Sequence, residues 1–123
     1  MFFSRTRPLF QVYSLCVDIM LYVKGERIKV RIERLIWLDE IVEKLGKKHK
    51  VVQEEVREVL EGEANFRFVE KGNRPGENVY AAMGRTQSGR YLIIFFILKK
   101  KADALVLSAR DMTHAERKRY EKT

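Results

Sequence analysis

Three arginines stand at the ends of the two most apolar runs of this chain. Arg85 and Arg90 flank Thr86-Gln87-Ser88-Gly89, and Arg110 closes Ala104-Leu105-Val106-Leu107-Ser108-Ala109. A guanidinium is planar, stays protonated and grips a phosphate through two parallel hydrogen bonds. Side chains able to move a proton lie elsewhere, His49 within Lys47-Lys48-His49-Lys50 and Tyr120 near the C-terminus. Such a set suits cleavage of RNA without a metal. RNA carries its own nucleophile, the 2′-hydroxyl. A protein need only hold that oxygen in line with the phosphorus, move a proton and neutralise the equatorial oxygens. Each residue also has a plainer reading. Strand-end arginines keep a sheet soluble, His49 at a helix C-terminus complements the dipole, and Tyr120 packs the last helix on the sheet. His114 reads as exposed and idle, and Trp37 as core.

The elements that must position these groups follow from periodicity. In residues 27–37, Ile28, Val30 and Ile32 alternate with Lys29, Arg31 and Glu33, as in an edge strand with one wet face. The period then becomes helical through Leu38, Ile41, Val42 and Leu45. Asp39 and Glu40 occupy the first turn and the lysines the last. A second helix spans residues 52–61, with Val52, Val56, Val59 and Leu60 as its stripe and Gly62 as its stop. Phe66 and Phe68 alternate with Arg67 in a short strand, residues 71–76 form a loop, and residues 79–84 form another strand. The run Tyr91-Leu92-Ile93-Ile94-Phe95-Phe96-Ile97-Leu98 is apolar at odd and even positions alike, so it is central and covered on both faces. It pairs with residues 104–110 as a hairpin. Thr113 and Glu116 make a capping box for a final helix. The order is β-α-α-β-β-β-β-α, a mainly antiparallel α+β fold in one domain, residues 24–123.

Residues 1–23 do not match this pattern. Arg5 and Arg7 precede an apolar run broken by Asp18, with no small-x-small cleavage site. They read as an extension outside the domain, arising from a start placed upstream of Met20 or serving as an arm.

The chain has 123 residues, one cysteine and a net charge of +8. The lone Cys16 excludes an internal disulfide or cysteine zinc site and points to a reducing, cytoplasmic setting. No apolar stretch is long enough to span a membrane. HExxH, Walker and Gly-x-Gly-x-x-Gly motifs are absent, so no metal or cofactor is expected. From Gly84 onward ten Lys/Arg face four Asp/Glu, whereas residues 39–61 hold five against seven. A basic face beside an acidic one points to a polyanion partner. Lys48, Lys50, Arg117, Lys118 and Arg119 are the residues that would track its phosphates.

Trp37, the Lys48-His49 element, Gly84-Arg85-Thr86, Gly89-Arg90-Tyr91-Leu92, Ser108-Ala109-Arg110 and Glu116-Arg117-Lys118-Arg119-Tyr120, in this order, resemble the BrnT family, toxin halves of bacterial type II toxin–antitoxin pairs. The resemblance covers residues 34–123. It implies a RelE-like fold and a metal-independent ribonuclease that arrests translation. It also implies a BrnA-like antitoxin as partner, with operator DNA bound only through that complex. The functional positions it carries over are His49, Arg90 and Arg110, with Arg85 beside them. The chain departs from the family pattern in having Leu38 after the tryptophan, Lys50 where relatives often have Gly, and Asp111 where many have a second basic residue. Two other readings stay open, a catalytically silent nucleic-acid- or antitoxin-binding module and a plain protein-interaction domain. The sequence also leaves the oligomeric state open, a homodimer included.

Overall fold

The computed structural model describes residues 9–23, 25–72, 76–99 and 102–122. β1 (Phe10–Val23) and β2 (Glu26–Leu38) form a long antiparallel hairpin turned at Gly25, whose φ of +82° suits a residue without Cβ. Ile19 and Leu21 on β1 lie opposite Val30 and Ile28 and face the core, while Asp18, Met20 and Tyr22 face out. This corrects the expectation that residues 1–23 lie outside the domain. The strand that places Leu15, Ile19 and Leu21 in the core is part of the sheet; residues 1–8 are outside the described residues. It also moves β2 off the edge, because β1 occupies that position. The broken look of the run has a simple cause. Asp18 is on the outer face, 3.3 Å from Arg31 and 3.8 Å from Lys29.

α1 (Asp39–Lys44) follows β2 directly and runs into a π-helical turn at Leu45–His49. Lys50 ends it in the left-handed region, φ +54°. α2 (Gln53–Glu61) buries Val56, Val59 and Leu60, whereas Val52 before it is exposed rather than part of the stripe. Four strands follow: β3 (Asn65–Glu70), β4 (Val79–Arg85), β5 (Tyr91–Lys99) and β6 (Asp103–Asp111). α3 (His114–Glu121) closes the described chain under the expected capping box. Thr113 Oγ1 accepts from Glu116 N at 3.1 Å, and Glu116 Oε1 accepts from Thr113 N at 2.8 Å.

The six strands lie in the order β1-β2-β6-β5-β4-β3. All pairings are antiparallel except β2 with β6, which run parallel through Leu35 and Ala104. The molecule is therefore α+β with a mixed sheet. The sheet curls until β1 comes back against β3 without pairing to it, with α2 packed inside the curl. β5 is covered on both faces, as its composition requires. Leu92, Ile94 and Phe96 are fully buried on the inner face with Trp37 and Val56, and Ile93 packs on the outer face with Ala81, Met83, Met112 and Tyr120.

A chain begun at Met20 would lose Leu15, Ile19 and two thirds of the β1–β2 ladder, each buried side chain worth about 2–5 kcal/mol. Such a chain is expected to show no cooperative thermal transition by circular dichroism, whereas the full chain shows one.

Candidate nucleic-acid interface

The residues singled out for chemistry gather at one end of the sheet, where β4, β6 and the π-helical turn end and β5 begins. The β4–β5 turn is held by Thr86, 5 % exposed. Its amide donates to the Arg90 carbonyl at 2.9 Å, and its hydroxyl accepts from the Arg90 amide at 3.0 Å. Gly89, at φ +96°, completes the turn; a Cβ there would meet the Arg85 guanidinium at 3.2 Å. Hydrogen bonds therefore set the exit of Arg85 and the entry of Arg90.

Arg90 uses all five of its N–H donors. Nε and Nη2 hold the Asp111 carboxylate at 2.7 and 3.3 Å. Nη1 reaches Glu55 at 3.1 Å and the Lys50 carbonyl at 2.7 Å, and Nη2 also reaches the His49 carbonyl at 2.9 Å. The bond to Asp111, and then that to Glu55, raises the guanidinium further above its already high pKa. The same bond holds the Asp111 carboxyl below its usual range, with the charge of nearby His49 adding a little. So placed, Arg90 fastens the end of the π-helical turn to α2 and β6, and no donor is left for a phosphate. Asp111 is the partner of this clamp.

Arg110 lies on the opposite face of the sheet, since it pairs across from Ile93 while Asp111 pairs across from Leu92. It grips Glu116 through two bonds, at 2.8 and 3.0 Å, and sits over the Phe95 ring. Glu116 is pushed down to about 2, first by Arg110 and then by its bonds to Thr113. The three arginines share one end of the sheet, but Arg90 faces the helices α1 and α2 while Arg85 and Arg110 face α3.

The group facing solvent beside α3 is different. Arg85 and Arg117 both stack on Tyr91, their guanidinium carbons 4.8 and 4.0 Å from the ring centre. Tyr120 meets the same ring edge-on at 6.0 Å, and the Tyr91 hydroxyl donates to Glu121 at 2.9 Å. Arg117 lies 3.5 Å from Glu121. Arg85 has no carboxylate partner among the described residues. Cation–π contact and cross-strand pairing of Arg85 with Tyr91 hold its plane in place while leaving donors open to water. Tyr120 Oη donates to the Glu63 carbonyl at a long 3.4 Å. Tyr91 was not singled out from the sequence. The cue was its position one residue after Arg90, which pairs it with Arg85 across a tight hairpin.

His49 is half-buried near Asp111, and Lys48 and Lys50 are exposed beside it. Lys118 is exposed on α3. Arg119 is exposed and, with Met83, lines a cleft of about 610 Å³ between β1 and β3. Among the described residues no three His, Cys, Asp or Glu side chains are grouped to hold a metal. No described helix is long and apolar enough to cross a membrane.

Three substitutions separate framework from surface. Arg90→Lys keeps the charge but loses the fork, and is expected to cost about 2 kcal/mol in urea denaturation. Lys50→Gly relieves the left-handed residue and adds about 0.5–1 kcal/mol. The depressed Glu116 contributes stability above its unfolded pKa, near 4.5, that disappears as pH falls towards 2. Glu116→Gln is therefore expected to lower stability at pH 7 by about 2 kcal/mol and to flatten the loss between pH 5 and pH 2. No protein-family model matches the chain, and no curated protein matches it.

Proposed function

We propose that this chain is a metal-independent ribonuclease of the toxin type, acting in the cytoplasm and held in check by a BrnA-like antitoxin whose complex with it binds operator DNA. The observation that carries the reading is the stack of Arg85 and Arg117 on Tyr91, with Tyr120 alongside. Two guanidiniums held rigidly by one ring can take the non-bridging oxygens of a scissile phosphate, and their outer faces offer planes on which a base can stack. Because Tyr91 is pinned by Glu121, their positions cost little reorganisation as charge develops on the phosphate. Tyr120 is the proton carrier on this face, and His49, held with Arg90 on the opposite face, takes no part in the same step. Arg90 and Arg110 act as frame, one fixing the π-helical turn and the other the start of α3.

A second reading has its own support. Arg90 and Arg110, the arginines carried over from the family resemblance, both spend their donors on carboxylates. This fits a relative that binds RNA or its antitoxin without cleaving.

Induced expression in bacteria separates the two. The wild-type chain is expected to arrest growth with cleaved RNA. Arg85→Ala and Arg117→Ala are each expected to slow cleavage by about 10²-fold at unchanged melting temperature. Loss of both should also reduce the salt slope of single-strand binding by about 1.4. Intact RNA and normal growth, with salt-sensitive RNA affinity retained, would leave the binding reading and remove the enzyme.

A further inference from the structure

The row of surface cations does not end at Tyr120. Arg119, the residue before it on α3, lines the cleft between β1 and β3. So does Met83, of the cluster against which Tyr120 packs. The cleft is therefore continuous with the Arg85–Tyr91–Arg117 stack. Beyond Arg119 its lining carries Arg67 from β3 and Arg27 from β2, both exposed. None of these three arginines has a carboxylate partner among the described residues. The acid in the lining, Asp18, is already shared by Lys29 and Arg31. Tyr22, 59 % exposed, also lines the cleft and pairs with Arg27 across the β1–β2 hairpin. Arg85 and Tyr91 are paired in the same way across the β4–β5 hairpin. The path thus runs from β5 and β4 past α3 to β3, and over to β1 and β2, with an arginine beside a tyrosine at each end.

We infer that this path is the track of a single RNA strand, whose phosphates lie against Arg119, Arg67 and Arg27 and one of whose bases stacks on Tyr22. The inference rests on the ribonuclease reading and gives it a substrate class, unpaired RNA of several nucleotides. Cations spaced along a backbone, with an exposed aromatic ring among them, hold single strands without reading sequence, because every base has a π-face. A base inside a duplex is already stacked on both sides and has no face to offer Tyr22. Ile19 and Leu60 beneath the cleft are each 2 % exposed, so the strand rides on the arginine rim rather than entering between β1 and β3. Contacts made this far from the scissile phosphate act by positioning it against Arg85 and Arg117.

The experiment measures binding of 2′-O-methyl uridine strands, which lack the nucleophile and stay intact, to the full chain by fluorescence anisotropy. A strand of nine nucleotides is expected to bind at least about tenfold tighter than one of three, and tighter than a duplex of nine pairs. The triple variant Arg27→Ala, Arg67→Ala, Arg119→Ala should bind both lengths alike, with a salt slope lower by about 2 and the melting temperature of the wild type. The matching triple lysine variant, which keeps the charges, should restore the slope. Tyr22→Ala should weaken the long strand by at least about fivefold and leave the short one unchanged. Equal binding of both lengths by the wild type, a triple alanine variant that keeps the gain, or tighter binding of the duplex or of an oligoglutamate would each overturn the track. Cleavage of unmodified RNA is scored separately. Cleavage by the wild type without a length gain removes the track and leaves the enzyme, whereas a length gain without cleavage keeps the track on a chain that only binds RNA.

Discussion

The hydrogen bonds of Arg90 join the π-helical turn, α2 and β6 at one end of the sheet. A π-helical turn leaves its last carbonyls without intrahelical partners, and those of His49 and Lys50 point at a guanidinium that enters β5. Glu55 from α2 and Asp111 from β6 complete the set. A planar fork with fixed donor directions can satisfy two carbonyls and two carboxylates at once, which an ammonium cannot. Both Arg90 and Glu55 are about three-quarters buried in their side chains, so the pair is less screened than a surface bridge. The direction in which His49 and the surrounding lysines project depends on this clamp.

On the other face a similar pairing works through a cap. Glu116 closes the N-terminus of α3 and at the same time binds Arg110, so β6 and α3 meet at a fixed angle. That angle brings Arg117 and Tyr120 onto Tyr91, and with them the exposed Arg85. The catalytic reading rests on this arrangement of surface cations over one tyrosine. The clamp and the cap supply its rigidity rather than its chemistry. Cations that neutralise carboxylates within the fold and cations that face solvent are alike in sequence, and their partners alone distinguish them.

The curl of the sheet has a second consequence. Strand twist, accumulated over six strands, curls the sheet and brings its two terminal strands, β1 and β3, towards each other. The β1–β2 hairpin, joined to β6 by a short parallel contact, passes over α2 and lies against β3. An edge strand is ordinarily protected by charge or cover. Here the two edges shelter each other and share a basic rim, Arg27, Arg67 and Arg119.

Much of the fold was legible from local chemistry. The doubly apolar β5, the helical periods of α1 and α2, the burial of Trp37 and the Thr113–Glu116 cap all depend on neighbours a few residues away. So did the expectation that Arg85, Arg90 and Arg110 reach one end of the sheet. β1 was missed because a single charge, Asp18, interrupts an apolar run, and only pairing with β2 shows that the charge faces outward. The sequence by itself determined which residues carry charge and which segments become strands or helices, since these follow from side-chain type and short-range period. Tertiary structure alone decided which arginines are spent on carboxylates, that Tyr91 carries Arg85 and Arg117, and that β1 returns to β3. Those contacts join residues tens of positions apart, and no local pattern encodes which distant group a guanidinium will meet.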